Sequence, residues 1–212
     1  MPSKEREYRA MTMAVEERAE DEVMTVAGYA STFDEPYKLW GDNDVEVWEK
    51  VDRNAFDNTD MSDVIMQYDH QGRVFARIRN NTLTVAPDDK GLFVRADLSG
   101  TDLGRGLYQE IAGGYTDRMS FGFTVDEDDR TTYFDEVSGK DIVMRTILKV
   151  GRLYDVSAVS IPANPSTVIA VRNLDGAIEV ARAERLERQE LEEKRSRLIA
   201  RAKELGGEEK ND

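Results

Sequence analysis

The stretch RMSFGFTV, residues 118–125, alternates large apolar with small or polar side chains at the period of two that a β-strand imposes. Met119, Phe121, Phe123 and Val125 then face a core, and Ser120, Gly122 and Thr124 face the other way. A serine held on a rigid strand, with a glycine two residues on that leaves room for an approaching backbone, is a position suited to a nucleophile. Serines on the polar face of a strand are far more often structural, so Ser120 is a candidate that needs partners.

Upstream, residues 102–112 predict a helix: Thr101 can cap it, Leu103, Leu107 and Ile111 recur every four residues, and Gly113–Gly114 end it. Before it, NTLTVA (81–86) and GLFVRADL (91–98) are strands joined by the turn PDDKG. VEVWEKV (45–51), DVIMQYDH (63–70) and VFARIR (74–79) read as further strands, with residues 34–44 as a loop and a turn at Gln71–Gly72. VMTVAGYASTF (23–33) is a strand in which Gly28 marks a bulge or a close backbone approach. Downstream, an acidic hairpin region (126–141) leads to the last strands, IVMRTILKV (142–150) and LYDVSAVSI (153–161), closed by PANP. The pattern predicts a mainly β fold, an antiparallel barrel or sandwich with a few helices outside it.

Three segments follow from composition: residues 1–22 as a flexible arm or edge element, 23–175 as one domain, and 176–212 as a charged helical tail. The tail is nearly neutral in sum, so almost all of the net charge of −14 precedes it. Leu191, Leu198 and Leu205 recur every seven residues, but their companions are charged, which leaves a solvated helix with ion pairs four apart, or a docking or self-removed segment.

Composition also excludes whole classes of chemistry. The chain has no cysteine, so disulfides, thiolate nucleophiles and thiolate metal sites are out. One histidine rules out multi-histidine metal centres, and no cofactor or metal is expected. The acidity disfavours direct nucleic acid binding and makes a basic polypeptide the better partner. No stretch approaches the roughly 20 apolar residues of a membrane span, so no membrane contact and a cytosolic product are expected.

Any imidazole chemistry must use His70, at the end of the strand DVIMQYDH where a base is fixed yet open to a groove. Asp69 beside it points to the opposite face of the strand. Asp155, in GRLYDVSAVSIP, shares a face with Leu153, Ser157 and Val159, and a carboxylate in an apolar strand demands a partner. That partner is either an imidazole N–H or a cation such as Arg152. A carboxylate pair within 126–141 is a weaker alternative, since charge runs in turns are usually plain surface.

GYASTF (28–33), MQYDHQ (66–71), DDKGLFVRADL (88–98), MSFGF (119–123) and LYDVSAVSIPANPSTVIAVR (153–172) together resemble the prohead proteases of tailed bacteriophages, in the same order over residues 23–173. The resemblance implies a small antiparallel β-barrel related to the herpesvirus assembly proteases. It implies a serine endopeptidase that cuts scaffold protein or the scaffold segment of the major capsid protein, and often itself, inside the immature procapsid in the host cytoplasm. By position, Ser120 matches the catalytic serine, His70 the histidine, and Asp155 the acid before V-S. Homo-oligomerisation is compatible with it. The sequence departs from the pattern at VDRNAF (51–56) and around Trp40 and Trp48. A non-enzymatic capsid-associated scaffold of the same fold is the competing reading. For the oxyanion, the amides of Phe121 and Gly122, or of Gly151 and Arg152, are candidates.

Overall fold

The computed structural model describes residues 5–12, 24–159 and 165–207. In chain order these form β1 (Glu7–Thr12), β2 (Thr25–Thr32), β3 (Tyr37–Gly41), β4 (Val45–Val51), β5 (Ile65–Tyr68), β6 (Gln71–Arg77), β7 (Leu83–Pro87), β8 (Gly91–Asp97), α1 (Asp102–Ala112), β9 (Arg118–Asp135), β10 (Lys140–Val159) and α2 (Pro165–Gly207), with a short 3₁₀ turn at Ile78–Asn80. The PANP segment lies outside the described residues except for Pro165, which opens α2, as do residues 1–4 and 13–22 of the expected arm.

The frame is the antiparallel pair of β9 and β10, which runs from Arg118↔Val159 to Asp135↔Lys140. The acidic region 126–141 is therefore mostly strand: only the few residues between Asp135 and Lys140 turn, with the Asp135 carboxylate accepting from the backbone N–H groups of Val137 and Ser138. The two last strands expected from sequence are one. Register shifts between Ile147 and Asp155 let β10 bend through Gly151 without breaking.

β10 is long enough that two separate strands share its second edge. β4 pairs with Asp141–Ile147 and β5 with Asp155–Ala158, both in parallel. The sheet is thus mixed, where an antiparallel one was expected, because β4 and β5 each arrive from a hairpin whose other strand (β3, β6) already takes the outer side. Residues 34–44 are no plain loop: β3 pairs with β4, and the Asp42 carboxylate closes the turn by accepting from the N–H groups of Asp44 and Val45. β1 completes the seven-stranded sheet on the far side of β9. Order thus begins ahead of Val23.

A second sheet, β2-β8-β7, packs over the first. The register shift in β2 falls between Tyr29 and Ser31, not at Gly28. Its inward residues (Val26, Ala30, Leu83, Leu92, Val94, Ala96) meet Met119, Phe121, Phe123 and Val125 of β9, and Leu107 and Ile111 of α1 close one side. α1 starts at the expected cap, where Thr101 Oγ1 accepts from Gly104 N at 2.9 Å; Leu103 is exposed. Among the described strands the pairing does not close on itself: β1 and β3 end the path of the large sheet, so the strands form two packed layers, the sandwich of the two expected forms, and a closed barrel is not shown. The core forms by stacking faces, and continuous pairing around a cylinder is not needed to bury it.

α2 opens well before residue 176. Leu174, Ile178 and Ala181 pack on Val45, Val47 and Val143 in a second, smaller core, while Arg182 pairs with Asp42 and both Arg185 and Arg188 reach Asp141. From Gln189 to Ala202 the helix is solvated, with Leu191 and Leu198 exposed.

Beside the main core, on the same face of the large sheet as Phe121 and Phe123, lies a buried charge cluster, with Glu7 opposite Phe123 and Arg9 opposite Phe121. Arg9 binds Glu49 through Nε (2.5 Å) and Nη2 (2.8 Å) and Glu7 through Nη2 (2.6 Å). Arg145 binds both Glu7 oxygens (2.7 and 3.0 Å), Glu49 (2.9 Å) and Asp128 (2.6 Å), and Tyr37 donates its hydroxyl to Glu49. Burial alone would push the Glu7 carboxyl up, but the Arg145 hydrogen bond and the two guanidinium charges outweigh it and hold it below its ordinary range. Burial would lower Arg9 as well, yet Glu49 above all keeps it firmly charged. The network joins β1, β3, β4, β9 and β10.

Two outcomes follow from this cluster. Arg145→Leu leaves Glu7 and Glu49 buried with too few partners and should cost about 3–5 kcal/mol in denaturant unfolding. Because the Glu7 carboxyl sits below its ordinary value of 4.5 when folded, its contribution is complete above that pH and is lost as pH falls through the lower folded value. The melting temperature should therefore decline below about pH 4.5, and less steeply in Glu7→Gln.

Candidate active site

Ser120, Asp155 and His70 come from three different elements, and register brings the first two to one face. Across the β9–β10 pair, Ser120 stands opposite Ser157 and Gly122 opposite Asp155. Residues two apart share a face, so Ser120, Gly122, Asp155 and Ser157 form a patch on one side of the sheet. β1 adds Tyr8 beside Gly122.

His70 arrives differently from the way its sequence suggests. Tyr68 pairs with Gln71, so Asp69 and His70 are themselves the two-residue turn between β5 and β6, with φ of 48° and 58°. Two consecutive positive φ values make the hairpin turn whose twist matches its strands. Asp and His tolerate this region better than most residues, though not without cost. The turn is pinned to β10: Asp69 N donates to the Ala158 carbonyl at 3.1 Å and His70 N to Ser157 Oγ at 3.2 Å. With the backbone fixed there, the imidazole lies over the patch.

The result is a chain of hydrogen bonds. His70 Nδ1 lies 2.5 Å from Asp155 Oδ1, and His70 Nε2 lies 2.6 Å from Ser120 Oγ. An ionised carboxylate can only accept, which assigns the ring proton to Nδ1 and leaves Nε2 to accept the serine hydroxyl. Ser157 Oγ accepts from His70 N and donates to Asp155 Oδ1 at 3.2 Å, so one hydroxyl ties the turn to the carboxylate. Asp155 is fully buried, Ser120 is 3 % exposed and the His70 side chain 14 %, so little water competes for these bonds.

Asp155 has therefore found an imidazole. Arg152, the other partner considered, pairs with Asp60 at 3.5 Å and lies over the Tyr154 ring. Asp69 takes no part in orienting the ring. The role suggested for Gly122 also changes: a Cβ there would sit 2.5 Å from Asp155 Oδ2 and 2.8 Å from Tyr8 Cε1, so the glycine makes room for the carboxylate and a ring. Ser157 was passed over in the sequence, although its place two residues after Asp155 put it on the same face.

None of the amides considered for an oxyanion is free and near. Phe121 and Gly122 lie where β9 is flanked by β1 on one side and β10 on the other, so their N–H groups serve the ladders. Arg152 N donates to Thr124 Oγ1, and Gly151, next to the Val125↔Val150 pair, is about 17 Å along the strand from Ser120. Three acidic residues of 126–141 have structural work: Asp128 holds Arg145 and Arg130, Asp135 closes a turn, and Asp141 holds Arg185 and Arg188. Among the described residues no group of acidic or imidazole side chains is placed to hold a metal, and no helix is long and apolar enough to cross a membrane.

Compared with known proteins, residues 10–178 match the family model described as caudovirus prohead serine protease. No curated protein and no solved structure matches the chain.

With a single histidine in the chain, the Nδ1–H to Asp155 bond should give one low-field exchangeable proton in the NMR spectrum. That signal should vanish in Asp155→Ala and persist in Ser120→Ala. Gly122→Ala, whose added methyl meets the carboxylate, should shift or abolish it while the fold is kept.

Proposed function

Since the chain belongs to the caudovirus prohead serine protease family, we propose that it is a serine endopeptidase of capsid maturation in which Ser120 is the nucleophile, His70 the general base and acid, and Asp155 the group that orients the imidazole. One observation carries this reading: the only histidine bridges a serine 50 residues away and an aspartate 85 residues away, at 2.6 and 2.5 Å. Those are the distances at which a base can take a hydroxyl proton directly. A non-catalytic scaffold has no need of that arrangement, and a separation beyond about 6 Å would have favoured it.

In this mechanism His70 Nε2 takes the proton from Ser120 Oγ as the oxygen attacks a peptide carbonyl carbon. The imidazolium so formed is stabilised by Asp155, which stays ionised. Collapse of the tetrahedral intermediate breaks the C–N bond, and the amine leaves with the proton from Nε2. Water then attacks the acyl-enzyme, giving a proton to His70 Nε2, and collapse of the second tetrahedral intermediate breaks the C–Oγ bond as Nε2 returns that proton to Ser120 Oγ, which frees the carboxylic acid product. Backbone donors must hold the oxyanion in both steps; such a donor typically contributes about 2.7–4 kcal/mol.

The proposed substrates are the scaffold protein, or the scaffold segment of the major capsid protein, and the chain itself, cut inside the procapsid in the host cytoplasm. Self-cleavage would fall in the charged tail, residues 176–212, which otherwise serves as a docking segment. Among the described residues, its outer turns beyond Arg188 carry no part of either core.

The test is co-expression with the cognate capsid and scaffold proteins, read by intact mass. Ser120→Ala and His70→Ala should each abolish processing with the fold retained, and Asp155→Asn should slow it by roughly 10³–10⁴-fold. Processing that survives Ser120→Ala would return the chain to the scaffold reading.

A further inference from the structure

The strand β1 lies in the segment expected as a flexible arm or an edge element; it is an edge strand, and its two faces are both in use. Glu7 and Arg9 point into the charge cluster, where both are buried. Arg6 and Tyr8, one residue out of phase, point to the opposite face, where Ser120 and Asp155 lie.

On that face, one oxygen of Asp155 is unsatisfied. Oδ1 takes bonds from His70 and Ser157, whereas Oδ2 is buried and has no hydrogen-bond partner. A buried carboxylate needs its charge compensated as well as its lone pairs filled. The group that reaches it is the Arg6 guanidinium, with Nη1 3.6 Å from Oδ2. Arg6 is itself steadied by the Tyr154 ring, over which its guanidinium lies at 3.9 Å. Tyr8 packs its ring 4.3 Å from the His70 ring, centroid to centroid, on the side where Gly122 leaves space.

We infer that β1 is a component of the active site, with Arg6 a positioning residue that holds and neutralises Asp155 from its far oxygen, and Tyr8 a wall that keeps the imidazole turned toward Ser120. The inference rests on the catalytic reading of Ser120, His70 and Asp155 given above. Arg6 acts through Asp155 and touches no substrate. The buried cluster on the other face of β1 is what keeps Arg6 and Tyr8 in register, so anchoring and positioning are two faces of one strand.

The test uses the full chain and a biotinylated fluorophosphonate, which phosphonylates an activated serine with loss of fluoride and needs no knowledge of the peptide substrate. Ser120→Ala reports whether labelling belongs to Ser120. Arg6→Gln should slow labelling by roughly 10- to 100-fold, the penalty of a misaligned base, while the amides of Glu7–Thr12 keep their wild-type hydrogen-exchange protection. Arg6→Lys, which restores the cation, should return the rate to within a few-fold of wild type. Wild-type labelling in Arg6→Gln would overturn the inference and leave the protease reading standing. Slow labelling in both Arg6 variants with β1 protection lost would also overturn it, since Arg6 would then only hold the strand down. Labelling that does not depend on Ser120 would remove both readings together.

Discussion

Two long strands, β9 and β10, pair over nearly their whole length, and the other strands of the large sheet take their positions from that pair. β1 lies along one edge, and β4 and β5 lie end to end along the other. The register of this pairing decides the site, because it sets Gly122 against Asp155 and Ser120 against Ser157. A slip of one residue would turn every side chain to the other face. Phe121 and Phe123 would then leave the core, where they stack with ring centroids 4.6 Å apart, and the carboxylate would lose the gap that only a glycine leaves. Core packing and the chemistry of the site are thus enforced by the same register.

The charge cluster around Glu7, Arg9, Glu49 and Arg145 has a different energetic character. Desolvating four ions is expensive, and a well-packed apolar replacement of the whole group would be comparable in stability or better. What such a cluster supplies is selectivity: each partner fits in one arrangement only, and a strand shifted along β9 would strand two charges in the interior. A short edge strand with few apolar residues of its own, β1, is thereby given a unique place.

Much of this was legible in the sequence, and what was not has identifiable causes. The α1 boundaries follow from Thr101 and the paired glycines, and β4 follows from simple alternation, since both signals are local. Ser120 and His70 stood out chiefly through the resemblance carried by MSFGF and MQYDHQ, and Asp155 because a carboxylate in an apolar strand demands a partner. β3 was hidden because Tyr37–Gly41 sits among turn residues and owes its order to Trp40 and Leu39 packing near α2. The parallel pairings of β4 and β5 depend on contacts roughly 90 residues apart, which no local pattern encodes. Glu49 and Arg145 each occupy an inward position between apolar neighbours, a pair of matching anomalies that foreshadows their contact. Arg6 and Tyr8 gave no signal, because a charged segment that binds ions inside a protein looks the same as one that meets water.

The sharing of one edge of β10 by β4 and β5 also governs the order in which the molecule can be made. Both hairpins, β3–β4 and β5–β6, are synthesised early, but their sheet partner comes only with residues 140–159. β1 likewise waits for β9. A ribosome-bound chain that has released Ser120 still lacks Asp155 and the hydroxyl that fastens His70, and contacts of such long sequence separation form slowly. The Ser120–His70–Asp155 arrangement therefore comes into being only when translation of the sheet is nearly finished, and the chemistry proposed for it is out of reach of the growing polypeptide.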